Sequence, residues 1–208
     1  MADAESVIFY RETRPNGIFC NYFRLSVPLK YKGKLYATSE HLYQSLKFDY
    51  IGAPERSLEY AEIIRKINTP NKARILALMK CSGGYKWRTD LNDPIRQYRD
   101  EHGVTIRSNW NELRLAVMLH VLRIKFSQNK HAKHALLATG SKLIVENSPR
   151  DSFWGVGADG CGKNNLGRLL MQVRRELRHN ADKETTVTAS SKRKLNVVET
   201  FNSKKTKK

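Results

Sequence analysis

The strongest periodic signal in the chain lies between residues 108 and 128. Apolar side chains recur there every three or four positions, which is the spacing of one face of an α-helix. These residues are Trp110, Leu113, Val117, Val121 and Ile124. The chain has 208 residues, of which 40% are hydrophobic. That content is sufficient for a buried core, so a wholly disordered chain is excluded.

Shorter signals on both sides of this helix complete the predicted fold. Two apolar runs flank Lys32-Gly33 and predict a hairpin. Thr38 or Ser39 predicts the start of a helix that runs to about Tyr50. Further segments are predicted as helices at 57–67, 69–83, 131–138 and 166–178, as a strand at 142–146 and as a glycine-rich loop at 151–165. The polar stretch 81–106 has no clear assignment, and the sum is a mostly helical chain with a small amount of sheet.

Positive charge is spread over the chain and concentrated at its end. Lys and Arg number 38 against 20 Asp and Glu, a net charge of +18, which indicates a polyanionic partner such as nucleic acid or an anionic surface. Residues 181–208 hold eight basic and three acidic residues among many Ser and Thr. We therefore predict a disordered basic tail at 181–208 after one domain at 1–180. The tail resembles a nuclear-localisation or nucleic-acid patch, with a plain solvated tail as the alternative.

The cysteine and histidine pattern gives no sign of a metal site. Cys20, Cys81 and Cys161 lie far apart and form no CxxC pair, which argues against a disulfide framework and a structural zinc site. The six histidines show no HExxH or paired metal spacing. No apolar run approaches the roughly 20 residues that cross a bilayer, and residues 1–5 do not resemble a signal peptide. We expect an intracellular protein, cytoplasmic or nuclear, with no membrane partner.

The glycine-rich loop contains a GxGxxG pattern at residues 155–160 and a near-match to a P-loop at 157–163. Neither is convincing, because no βαβ unit surrounds the first and Asn164 stands where a P-loop needs Ser or Thr. Two alternatives remain. The loop could bind a phosphate through its backbone amides at the start of the next helix, or it could be a tight turn without a ligand.

Three polar residues recur on one face of the helix predicted after Thr38. Glu40 and Lys47 are seven positions apart, about 10 Å along a helix, with Gln44 between them. They could line a polar pocket, although the residues alone favour a solvated face with weak charge pairs.

Read together, the segments resemble the NADAR family, also called YbiA-like. The blocks that carry the resemblance occur in the family's order and cover about residues 8–179 of the chain. They are residues 19–23, 38–48, 110 with 118 and 125–126, 136–140 with 143–146, 151–157, and 165–171. Cys20 departs from the family, which often has serine there, and 81–106 is longer than in compact bacterial members.

The resemblance implies a single α+β domain that cleaves N-glycosidic bonds and needs no cofactor. Two substrate classes are associated with the family: phosphorylated ribosylamino-pyrimidine intermediates of riboflavin synthesis, and ADP-ribose attached to a nucleobase, notably guanine in nucleic acid. Carried over by motif, the catalytic residues are Glu40, Lys47 and Asp151. The residues expected to bind substrate are Asn21, Gln44, Trp110, Glu146, Trp154, Gly155 and Asn165.

These residue types suit the chemistry that the resemblance implies. Breaking the C1–N bond of ribose builds positive charge on the sugar and negative charge on the leaving base. Glu40 and Asp151 could stabilise the sugar, activate water or protonate the base. Lys47 offers another route, because an amine whose pKa is lowered by burial can attack C1 and form an imine. Trp110 or Trp154 could stack on the base or sugar.

Three functions therefore remain open. The net positive charge favours ADP-ribosylated nucleic acid as the partner, and a phosphorylated nucleoside-like small molecule is the alternative. A third interpretation is a non-catalytic module that binds nucleic acid or ADP-ribose.

Overall fold

The helices and strands of the computed structural model, which describes residues 6–78, 93–181 and 183, follow the predicted order. The strands are β1 (Val7–Phe9), β2 (Leu29–Tyr31), β3 (Lys34–Tyr36) and β4 (Ile144–Glu146), with a short 3-10 helix at Gly17–Phe19. The helices are α1 (Ser39–Ser45), α2 (Glu55–Lys66), α3 (Pro70–Leu76), α4 (Pro94–Glu101), α5 (Trp110–Gln128), α6 (Lys130–Ala138) and α7 (165–181). The predicted α+β class, mostly helical with a small β portion, is confirmed.

Side-chain caps fix where three of the helices begin. Thr38 Oγ1 accepts a hydrogen bond from the amide of His41 at 3.3 Å, which confirms the predicted start of α1. Thr69 caps α3 in the same way, and Pro70 occupies the first turn, where its missing N–H is not needed. Asp93 caps α4, a helix that the polar sequence of 81–106 did not predict.

The strands form two separate pairs. The predicted hairpin is confirmed, since β2 and β3 pair antiparallel across a turn in which Lys32 and Gly33 have φ of 46° and 76°. Such left-handed angles favour glycine, so Gly33 suits this turn. β1 pairs in parallel with β4, which sets Phe9 opposite Glu146. This second pairing joins segments more than 130 positions apart and was not predicted.

Helix α1 lies between two apolar clusters. All seven of its residues are buried. The larger cluster includes side chains of α1, α5, α6 and α7. The smaller one contains Phe48, Tyr60 and Leu76, from the turn after α1 and from α2 and α3. Because α1 has neighbours on every side, its polar residues have to be buried too.

Two helices differ from the prediction. Helix α1 ends at Ser45 rather than near Tyr50, because the chain tightens into a turn in which the amide of Lys47 donates to the carbonyl of Gln44. In α5 only Val121 of the five predicted apolar residues is fully buried. The buried face of α5 consists of Met118, Val121, Leu122, Lys125 and Phe126.

Several expectations lie outside the described residues. They include the surroundings of Cys81, the chain at 79–92 and nearly all of the predicted tail at 181–208, of which only 181 and 183 are described, both as helix. Within the described part, no helix is long and apolar enough to cross a membrane.

Candidate active site

The polar strip formed by α1 and the turn after it faces the protein interior. Glu40, Gln44 and Lys47 are exposed by only 5%, 4% and 6%, so the interpretation as a solvated face is wrong. Gln44 Nε2 donates to Glu40 Oε1 at 2.7 Å. Lys47 Nζ donates to the carbonyl of Ala77 at 3.3 Å and lies 5.6 Å from the ring centre of Trp110. The strip is therefore a buried polar cluster. We refer to it and the residues around it as the candidate substrate pocket.

Burial changes the protonation of both charged members of the strip. Desolvation raises the pKa of Glu40 despite the hydrogen bond from Gln44 and the nearby ammonium of Lys47. Desolvation lowers the pKa of Lys47 to about 8, against the opposing effect of Glu40. A buried lysine with this pKa carries an appreciable fraction of neutral amine near neutral pH, which is the nucleophilic form.

A second carboxylate reaches the same region from the other end of the chain. Glu146, at the end of β4, has a pKa raised to about 8 by burial first, then by the charges of Asp151 and Glu40. Asp151 also raises the pKa of Glu40. These mutual effects place Glu40, Glu146 and Asp151 in one electrostatic cluster.

Asp151 has a structural role in this cluster as well. Its Oδ1 accepts hydrogen bonds from the amides of Phe153 and Trp154 at 2.9 and 2.7 Å, the pattern of a turn-capping carboxylate. The substitution of Asp151 would therefore disturb the loop that carries Trp154 and the charge near Glu40 together.

Aromatic rings connect the two halves of the pocket. The ring of Tyr43 lies 5.1 Å from that of Trp110 and 5.8 Å from that of Trp154, between centres. Both tryptophans are partly buried, so each keeps some exposed ring surface. A planar base or sugar could pack against these surfaces.

Some buried oxygens of the pocket have no hydrogen-bond partner within the described residues. They are Asn21 Oδ1, Gln44 Oε1 and Glu146 Oε2. Buried polar atoms are nearly always hydrogen-bonded in folded proteins. The amide oxygens of Asn21 and Gln44 only accept, whereas Glu146, with its pKa raised to about 8, can also donate near neutral pH. The cluster therefore favours a ligand with several donors and acceptors, such as sugar hydroxyls.

The hydrogen bonds of the glycine-rich loop favour the tight-turn alternative. The amides of residues 155, 156, 157 and 162–166 donate to carbonyls of the chain itself, for example Val156 to Glu146 at 3.0 Å. Gly155 is needed for packing, because a Cβ there would lie 2.7 Å from the carbonyl oxygen of Glu146. Asn165 Nδ2 holds the carbonyl of Phe153 at 2.8 Å. Gly155 and Asn165 thus support the pocket wall, and these amides are not available to a phosphate.

Residues 8–178 match the NADAR domain. The chain belongs to the NADAR family. The resemblance given by the sequence blocks is therefore confirmed over nearly the whole described chain.

Curated NADAR relatives carry functional names. An N-glycosidase of Nostoc punctiforme is 33% identical over 84% of this chain and 94% of its own length. N-glycosidase YbiA of Escherichia coli is 32% identical over 81% of this chain and 86% of its own. A riboflavin biosynthesis protein of Vibrio vulnificus is 31% identical over 85% of this chain, which spans only 40% of that protein. These relatives support the predicted enzyme class, a hydrolase that acts on N-glycosyl compounds.

The fold of the NADAR domain is also shared with a solved structure. The NMR structure of Escherichia coli YbiA superposes with a TM-score of 0.65 at 30% sequence identity, over 87% of this chain and 89% of that one.

Two residues near the NADAR pocket were missed by sequence reasoning. Tyr43 was expected only as a core residue, although its position one turn after Glu40 could have indicated the same face. The sequence around Arg74 on α3 contains no motif that indicates a site. Its charge nevertheless lowers the pKa of both Glu40 and Lys47. Its Nε donates to Tyr22 Oη at 2.8 Å. Only the packing of α3 against α1 brings it there.

Proposed function

We propose that the protein is an N-glycosidase that removes ADP-ribose from guanine in nucleic acid. The observation that carries the glycosidase assignment is a buried pair, Glu40 on α1 and Lys47 in the turn after it: Lys47 has a lowered pKa and Glu40 a raised one. The lowered pKa of Lys47 increases the share of neutral, nucleophilic amine, and the raised pKa of Glu40 favours the protonated carboxyl that can act as an acid.

The order of steps follows from these protonation states. The neutral Nζ of Lys47 attacks C1 of the ribose, and the C1–N bond to the base breaks with its electron pair going to the base. Protonated Glu40 gives its proton to the leaving base. Opening of the sugar ring breaks C1–O and leaves an imine between C1 and Nζ, with the ring oxygen taking a proton from the lysine nitrogen. Water then hydrolyses the protonated imine, which releases ADP-ribose, and the extra proton left on Nζ returns to Glu40, so that the amine and the acid are both restored.

The net positive charge of the chain supports ADP-ribosylated nucleic acid as the substrate. The chain carries +18 overall, and +13 of this lies in residues 1–180. ADP-ribosylated nucleic acid carries many phosphates, so long-range attraction gathers it at a basic surface. The uncharged polar acceptors of Asn21 and Gln44 suit donors on the sugar or the base.

A second candidate substrate is favoured by a different observation. The Vibrio vulnificus relative is named as a riboflavin biosynthesis protein, as is a chloroplast protein of Zea mays that is 29% identical over 82% of this chain and only 25% of its own length. A phosphorylated ribosylamino-pyrimidine would use the same C1–N cleavage.

One experiment separates these candidates. The purified protein is incubated with DNA bearing ADP-ribosylated guanine and, separately, with the phosphorylated ribosylamino-pyrimidine, and released products are followed by chromatography. We expect release of ADP-ribose from the DNA. Cleavage of the pyrimidine substrate alone would reassign the substrate. Salt-dependent binding without any cleavage would mean a binding module instead.

Trapping tests the covalent step. Borohydride reduces an imine to a stable amine, so the wild-type protein should gain the mass of the reduced sugar adduct during turnover. Lys47→Arg should show no adduct, whereas Lys30→Gln, a change at an exposed lysine of β2, should show the wild-type amount. Turnover without an adduct in the wild type would favour direct attack by water.

A further inference from the structure

An open groove lies beside the pocket, between α5 and α7. Its volume is about 490 Å³, and its walls include Leu115, Asn165, Arg168, Met171 and Arg175. Asn165 joins the groove to the pocket, because its side chain also holds the loop that carries Trp154. The groove therefore continues from the edge of the candidate active site.

The groove carries positive charge that the described part of the chain does not neutralise. Arg168 and Arg175 are both exposed and lie seven positions apart on α7, so their side chains share one face about 10 Å apart along the axis. Neither forms an ion pair within the described residues. Glu176 lies at the edge of this face, accepting a hydrogen bond from Gln172, but both of its oxygens are already bound by Arg123 at 2.7 and 2.8 Å.

Two more cations stand where the groove meets the loop. The guanidinium of Arg114 lies 3.6 Å from the ring centre of Phe153, and Nζ of Lys163 lies 5.8 Å from the same centre. Neither Arg114 nor Lys163 has an acidic partner within the described residues. The cations thus extend from the loop along α7.

The groove also offers apolar surface between its charges. Leu115 is 39% exposed, and Met171 is partly buried in the groove wall. Single-stranded nucleic acid binds where cations follow its phosphates and rings stack on its bases. Here the cations line the groove, and Phe153 supplies a ring beside Arg114 and Lys163.

We propose that this groove binds the single-stranded nucleic-acid segment adjoining the modified base, with Arg168 and Arg175 on successive parts of its phosphate backbone. The inference rests on the proposed function and deepens it. Cleavage of its bond to ADP-ribose leaves the guanine in the strand, so the nucleotides on either side of it lie next to the pocket during the reaction, and an unpaired strand presents the modified base without the cost of unstacking it from a duplex. The groove then selects polymeric over mononucleoside substrates.

The first test uses unmodified single-stranded DNA, and therefore does not depend on hydrolysis. Fluorescence anisotropy gives the affinity of a labelled 12-nucleotide strand for the full chain across a series of salt concentrations. The groove variant is Arg168→Gln with Arg175→Gln. The control is Lys30→Gln with Lys130→Gln, which removes the same charge from two exposed residues on β2 and α6. Loss of two phosphate contacts should reduce the slope of log affinity against log salt by about 1.4, since each contact on a single strand contributes about 0.7.

We expect the groove variant to bind at least about 10-fold more weakly than the control pair at low salt. Equal affinity and equal slope in the two variants would overturn the proposal, because the binding would then follow overall charge, including that of residues 181–208 shared by all variants.

The second test compares two substrates, an oligonucleotide with ADP-ribosylated guanine and ADP-ribosylated guanosine alone. In the groove variant the ratio of kcat/KM for oligonucleotide over nucleoside should fall about 10-fold, mainly through KM. An unchanged ratio would reject the groove as a polymer site. Absence of turnover on both substrates by the wild type would reject the proposed function, while the anisotropy result would still decide on the groove.

Discussion

Two buried lysines, Lys47 and Lys125, share a lowered pKa but differ in what surrounds the amine. Burial lowers the pKa of Lys47 to about 8 and that of Lys125 to about 7. Lys125 is fully buried in α5, and its Nζ donates to the carbonyl of Cys20 at 3.0 Å. The more strongly shifted lysine is thus the one without access to a substrate.

The surroundings of the two amines differ more than their pKa values. Lys47 lies beside Glu40 and the partly exposed ring of Trp110. The nearby titratable group of Lys125 is Cys20, whose own pKa burial raises to about 11. A lowered pKa is therefore insufficient for catalysis, which also needs a proton donor and an open surface next to the amine.

The largest expected effect comes from the substitution of Lys47, the proposed nucleophile. Lys47→Arg keeps the positive charge, but a guanidinium stays protonated and cannot attack C1. We expect kcat for base release to fall by about 10³-fold or more. Lys125→Met is the matched control and should retain most of the activity. Loss of activity in Lys125→Met with full activity in Lys47→Arg would reverse the assignment of the two lysines.

The next effect is the pH dependence of the wild-type reaction. Below its pKa of about 8, Lys47 is mostly protonated, so the neutral amine and kcat/KM should both rise about 10-fold per pH unit between pH 6 and 7, and level off above 8. Rates of base release measured across this range give the rising limb of the pH–rate profile. Lys125→Met should leave this rising limb at the same pH. A flat pH–rate profile over pH 6–8 would exclude neutral Lys47 as the nucleophile.

The third effect is a pH dependence of folding stability that arises from Lys125. Its pKa is lower in the folded state, so between pH 7 and the ordinary pKa of lysine the unfolded chain binds more protons. Folding stability from this group therefore rises as pH rises and is lost towards pH 7. Lys125→Met removes this dependence.

The free energy of unfolding, from urea titrations at pH 7 and 9, measures the effect. The stability of Lys125→Met relative to wild type should drop by about 2 kcal/mol on going from pH 7 to pH 9. Taking the difference between the proteins cancels the contributions of Glu146 and Lys47, which also titrate near this range. A difference that stays constant with pH would mean that the buried amine remains charged.

The features that the sequence predicted correctly are those that depend on local patterns. The caps at Thr38 and Thr69, the hairpin and the family were all predicted, because each depends on residues close together in sequence or on several ordered blocks. Helix α4 was missed because its cap at Asp93 stands in a polar stretch without apolar periodicity.

The environment of each site residue was harder to predict. Glu40 and Lys47 were named, yet the residues alone favoured a solvated face, since burial of α1 depends on elements distant in sequence. Lys125 belonged to a block of the resemblance, but nothing in the sequence indicated that its charge is buried. Such pKa values depend on packing between elements that are distant in sequence, and local sequence patterns do not indicate this packing.

The smallest expected effect tests the contact between Lys47 and Trp110. The ring lies 5.6 Å from Nζ and stabilises the protonated amine by cation–π attraction, worth about 0.5–1 kcal/mol. Trp110→Phe weakens this attraction, so the pKa of Lys47 should fall and the rising limb of the pH profile should move a few tenths of a unit towards lower pH.

Trp154→Phe is the matched control, because Trp154 borders the pocket through Tyr43 and the structure gives it no contact with Lys47. Both substitutions remove similar ring area, so both should weaken substrate binding, but only Trp110→Phe should move the limb. Equal shifts in the two variants would mean that ring area next to the pocket, rather than the ring over the amine, sets the protonation of Lys47.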